Sequence, residues 1–144
     1  MRHDHTTVVI PLGGNQLARG DVDQELAELK RLAPKVYAIV DSERSSASEL
    51  PLEERRRFKT ACDEAEIPAH ITERRATENY LSERAIKACF GPTQRAFMPF
   101  ETRDVVKPSW GKEDNWRIAS LMSWEEISDT DVGKFLATYF PPNG

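Results

Sequence analysis

Two carboxylates one residue apart, Asp41 and Glu43, stand directly after the apolar run Lys35 to Val40 (KVYAIV). In an extended chain, residues i and i+2 point the same way. Both acids would then meet at one point. Bare carboxylates that close repel, and one would have to protonate. A Mg²⁺ ion removes the conflict, because hard cations take oxygen ligands. Taken alone, an Asp-x-Glu reads as a solvated turn. Glu78 adds a third acid, in the first turn of a helix expected over Thr77 to Phe90. There it could equally complement the helix dipole, and Glu73 competes with it. Arg74 and Arg75 lie beside these acids and suit phosphate contact. Lys112 follows Pro108 and Gly111 at an expected helix start, where the dipole disfavours a cation. A local rule broken next to a crevice points to function. Arg55, Arg56, Arg57 and Lys59 read as the solvated face of a helix.

The elements that must position these residues alternate. Thr6 to Leu12 (TTVVIPL) reads as a buried strand ending at the Gly13-Gly14 turn. Asp21 to Leu32 has apolar residues at 22, 26, 29 and 32, with acids first and bases last, a helix by both spacing and dipole. Lys35 to Val40 is a second strand. Glu53 to Glu64 is a helix with Phe58, Ala61 and Cys62 on one face. Pro68 to Ile71 is a third strand. Thr77, as N-cap, opens the helix that stops at Gly91-Pro92. Residues 93 to 111 are irregular, and Lys112 to Trp124 and Asp129 to Tyr139 close the chain as helices. This order, β-α-β-α-β-α and then C-terminal helices, argues an α/β fold with a parallel sheet flanked by helices. In such sheets ligands gather at the carboxyl ends of strands, where Gly13 to Asn15, Asp41 to Glu43 and the segment after Ile71 lie.

The chain has 144 residues, the length of one domain, 1–144. It carries 20 basic and 24 acidic residues, a net charge of −4. That argues against binding to nucleic acid by bulk charge, which rests on Lys and Arg. Mean hydropathy is −0.59, and no apolar run approaches the ~20 residues that span a bilayer. No membrane partner and a cytoplasmic setting are the expectation. Cys62 and Cys89 read as small apolar core residues, not a disulfide framework. Trp110, Trp116 and Trp124 could stack on bases but read as packing residues. His3, His5 and His70 lack metal-ligand spacing with the cysteines. Neither a Walker phosphate loop nor a dinucleotide-binding glycine motif is present.

The ordered set VVIPLGGNQ, YAIVDSERS, HITERRATENYL and WGKEDNWRIA resembles the TOPRIM domain of the overcoming-lysogenization-defect (OLD) family of nucleases, across roughly residues 7 to 140. The resemblance implies a metal-dependent endonuclease in an antiphage defence or DNA-processing system, with Mg²⁺ or Mn²⁺ as cofactor and DNA as substrate. Asp41 and Glu43 look like the acidic pair that holds metal. Ser42 would add a hydroxyl near it, Glu78 would complete a second metal position, and Lys112 would steady the phosphate transition state. Two-metal sites place cations roughly 3.5–4 Å apart, clamping the attacking and leaving oxygens. The family domain begins with an earlier strand ending in Glu, after an ATPase. Nothing before Thr6 supplies that strand. The expectation is therefore a fragment, a subunit completed by a partner polypeptide such as an ATPase, or a catalytically inactive descendant kept for binding. A homo-oligomer is compatible with each.

Overall fold

The computed structural model describes residues 7–11, 22–105 and 110–142. Helix α1 (Val22–Leu32) leads to strand β1 (Ala38–Val40), helix α2 (Glu53–Glu64) and strand β2 (Ala69–Ile71). Helix α3 (Glu83–Phe90), α4 (Asn115–Ser120) and α5 (Asp131–Tyr139) follow. Short 3₁₀ turns occupy Thr77–Tyr80, Lys112–Asp114 and Trp124–Glu126. The two strands pair in parallel, Ala38 opposite Ala69, Ile39 opposite His70 and Val40 opposite Ile71. The chain is thus mixed α/β, with five α-helices and a small two-stranded parallel sheet among the described residues.

The alternation of side chains along a strand explains how the sheet is covered. Ala38, Val40, Ala69 and Ile71 join a core with Leu26 of α1, Phe58 and Cys62 of α2, and Ile67. On the other side, the Tyr37 ring lies 4.7 Å from Tyr139 and 5.0 Å from Phe140. His70 stacks 5.4 Å from Phe135. Helices α1 and α2 therefore cover one face and α5 the other. Burial of each large apolar side chain contributes roughly 1.5–3 kcal/mol. A second core joins Leu81, Ala85, Ile86, Phe97, Trp110 and Ile118, with Trp110 stacked between Phe90 and Phe97.

Helix α2 matches its expected bounds, and its buried face carries Phe58 and Cys62. It ends in a Schellman arrangement: the Ile67 N–H reaches the Cys62 carbonyl at 2.8 Å and the Glu66 N–H reaches Asp63 at 3.1 Å. Burial pushes the Cys62 thiol up to about 11, the behaviour of an inert core cysteine.

Several expectations need correction. Residues 7–11 are not a buried strand: Val8 is 79% and Val9 86% exposed, and no strand is assigned there. Thr6, Leu12, Gly13-Gly14-Asn15, His3 and His5 lie outside the described residues. Thr77 does not cap a long helix. It opens a 3₁₀ turn, and α3 starts later, where the Ser82 hydroxyl accepts the Ala85 N–H at 3.2 Å. Gly91 stops α3 as expected, at φ 101°. Residues 112–124 form two short pieces rather than one helix. Trp116 is 70% exposed rather than packed.

Candidate acidic site at the strand ends

The loops after β1 and β2 are zipped together. The Ser42 N–H donates to Thr72 Oγ1 at 3.0 Å, and the Ser42 hydroxyl donates to the Arg74 carbonyl at 2.8 Å. The Glu43 N–H reaches the Arg75 carbonyl at 2.9 Å, and the Arg75 N–H reaches Pro99 at 2.9 Å. Arg44 donates to the Glu73 carbonyl. Ser42 and Thr72 are fully buried, so these bonds form where water does not compete. The Ser42 hydroxyl thus holds the loops.

This clasp brings Asp41 to the start of the Thr77–Tyr80 turn, whose Thr77 N–H donates to Asp41 Oδ1 at 2.8 Å. Burial raises the Asp41 carboxyl above its ordinary range, and the charges of Glu78 and Glu43 raise it further. The Thr77 N–H and Arg55 act in the opposite direction. The three predicted acids therefore share one electrostatic neighbourhood.

They do not form one ligand cluster. Glu43 has φ 57°, a left-handed conformation uncommon outside glycine. This turns its side chain out of the i, i+2 alignment that an extended chain would have. Its Oε2 pairs with Arg75 Nη2 at 3.1 Å. Glu78 Oε1 lies 3.9 Å from Arg103 Nη2. Oxygen ligands of this type suit Mg²⁺ or Mn²⁺. Even so, no group of three or more His, Cys, Asp or Glu poised to hold a metal is found among the described residues. Only the charge crowding at Asp41 fits a cation; the geometry does not.

The predicted cations fall differently. Arg74 donates to the Asn79 carbonyl at 2.8 Å and lies 4.7 Å over the Tyr80 ring. Arg75 is spent on Glu43 and on the carbonyls of Glu43 and Arg44. Lys112 is exposed at the head of its 3₁₀ turn. It follows Trp110, whose carbonyl accepts from Arg103 at 2.8 Å, so Arg103 links that turn to Glu78. Arg55, expected on a solvated face, is instead only 9% exposed.

Next to this site is a network that sequence reasoning missed. Asp131, at the start of α5, accepts from Tyr80 Oη at 2.7 Å and from the Glu73 N–H at 2.9 Å, and lies 2.6 Å from His70 Nε2. Burial alone would raise the Asp131 carboxyl. The Glu73 N–H, His70 and Tyr80 outweigh it, and the net shift is downward. Burial pushes the Tyr80 hydroxyl well up, and its bond to Asp131 adds to that. Acid, histidine and tyrosine come from three distant segments, so no local spacing signals them.

No helix among the described residues is long and apolar enough to cross a membrane. Compared with family models, curated proteins and solved structures, the chain matches none.

Proposed function

We propose that the chain is a TOPRIM-like nuclease domain of OLD type, hydrolysing DNA phosphodiester bonds with Mg²⁺ or Mn²⁺. The observation that carries this reading is the crowding of Glu43 and Glu78 charge on a half-buried Asp41 at the carboxyl end of a parallel strand. Like charges acting on a partly buried acid oppose folding, and acids perturbed in this way cluster at functional sites. Asp41 and Glu78 would be the oxygen ligands of a divalent cation, which would supply Lewis-acid polarisation of a phosphoryl oxygen and a water of lowered pKa. Asp41 has one oxygen held by Thr77 and the other uncommitted among the described residues. Glu78 comes in from the adjoining turn, and the exposed Lys112, without an ion pair among the described residues, would be the positive charge for the phosphate. The paired state of Glu43 with Arg75 favours a second reading: a TOPRIM-like binding module, or a subunit whose acids are released only on a partner polypeptide.

The test is Mn²⁺ calorimetry and plasmid nicking on wild type and Asp41→Asn. Mn²⁺ binding and nicking that both vanish in Asp41→Asn support the nuclease. Nicking at the same rate by both proteins removes Asp41 from the reaction. Absence of metal binding and nicking in wild type leaves the binding module.

A further inference from the structure

Arg55 is the third residue of α2, and α2 is anchored at the acidic site, because the Leu52 N–H donates to the Ser42 carbonyl at 3.2 Å. Arg55 is 9% exposed, yet its Nε is buried with no hydrogen-bond partner. No hydrogen bond or close ion pair is formed by Arg55 among the described residues, and its charge acts on Asp41 through space. The neighbouring Arg57 is paired with Glu53, and Lys59 with Asp63 at 2.6 Å. A buried N–H donor left without an acceptor is costly. Helix α2 also has no side-chain cap, so its first N–H groups lack one of their usual acceptors. Donors from a 12-residue helix end and from the Arg55 guanidinium thus stand together beside Asp41.

We propose that Arg55 is the phosphate contact of this site, its guanidinium forking onto the oxygens of a DNA phosphodiester laid across the end of β1. A guanidinium matches phosphate in a bidentate way. Arg74 and Arg75 already spend their donors inside the protein, whereas Arg55 does not. The identity of the anion as DNA rests on the nuclease reading; the anion site itself does not.

The test uses the full chain and a labelled short DNA duplex, followed by anisotropy with Mg²⁺ and with EDTA across a salt series, alongside calorimetry with inorganic phosphate. Arg55→Gln is expected to weaken DNA binding about tenfold. It should also lower the slope of log affinity against log salt by about one, the signature of one lost phosphate contact. A purely structural role leaves that slope unchanged. A folded Arg55→Gln with wild-type affinity and slope overturns the proposal, and if it nicks plasmid at the wild-type rate the nuclease reading survives alone. If Arg55→Gln does not fold, Arg55→Lys decides: it keeps the charge and loses the fork, so undiminished affinity overturns the proposal. Wild type that binds inorganic phosphate but not DNA overturns the DNA assignment. An Arg55-dependent DNA affinity in a protein that binds no Mn²⁺ supports the phosphate contact and removes the nuclease.

Discussion

At the scale of single residues, Asp41 is held in a way that opposes its charge. Its carboxyl is raised by burial, Glu78 and Glu43. A raised acid stabilises the fold below its unfolded pKa, and that contribution is lost as pH rises through the folded value. At neutral pH the ionised Asp41 therefore weighs against the fold. Asn can still accept the Thr77 N–H through its own Oδ1. Asp41→Asn is expected to melt at or above the wild-type temperature at pH 7, with the difference shrinking as pH falls through the folded pKa of Asp41. Thermal melts between pH 4 and pH 8 check this, and a markedly lower melting temperature for the variant at pH 7 contradicts it. A substitution that preserves or raises stability while abolishing activity is what a functional acid produces.

At the scale of elements, the site depends on two helix starts. Helix α2 delivers Arg55. Helix α5 delivers Asp131, and its Thr130 hydroxyl accepts the Gly133 N–H at 3.0 Å. Gly133 is buried, and a Cβ there would collide with the Ile127 carbonyl and crowd Ser128 Cα. That backbone cannot yield as a flexible side chain does, so Gly133→Ala is expected to destabilise by about 1–3 kcal/mol. It should also shift the His70 ring resonances as Asp131 moves. Urea titration and NMR report the two effects, and a variant as stable as wild type would show that α5 can slide freely.

At the scale of the whole molecule, a buried amide ties the turn at 77–80 to the loop at 98–101. Asn79 is 2% exposed. Its Nδ2 donates to Met98 at 2.7 Å and Glu101 at 3.0 Å, and its Oδ1 accepts the Ala76 N–H at 3.2 Å. Every group of the amide is used, and removing it strands the buried Ala76 N–H at about 1–3 kcal/mol and frees two part-buried carbonyls. Asn79→Ala is expected to lose several-fold more stability than an exposed Asn→Ala change. The amide protons of 76–81 should exchange faster under native conditions while those of α2 stay protected. Uniform loss of protection would mean that both cores unfold as one unit.

Local chemistry determined much of this protein from the sequence alone. The apolar spacing and dipole-matched ends foretold α1, the Phe58 and Cys62 face foretold α2 with its bounds, and the short runs 35–40 and 68–71 foretold β1 and β2, which form only over Ala38–Val40 and Ala69–Ile71. Asp41, Glu43 and Glu78 were legible as neighbours because strand order and a following turn bring them near. Their orientation was not, because a left-handed Glu43 and its bond to Arg75 are decided by loops that meet only in the folded chain. The same holds for Arg55: a run of arginines reads as solvated by composition, and only the packing of α2 against the Ser42 loop buries one of them. His70, Tyr80 and Asp131 were invisible for a like reason, since they are 10 or more residues apart along the chain and find each other only when α5 closes over the sheet. Period and caps act within a few residues and can be read in one dimension. Burial and pairing of charge act through space, and only the tertiary structure sets them.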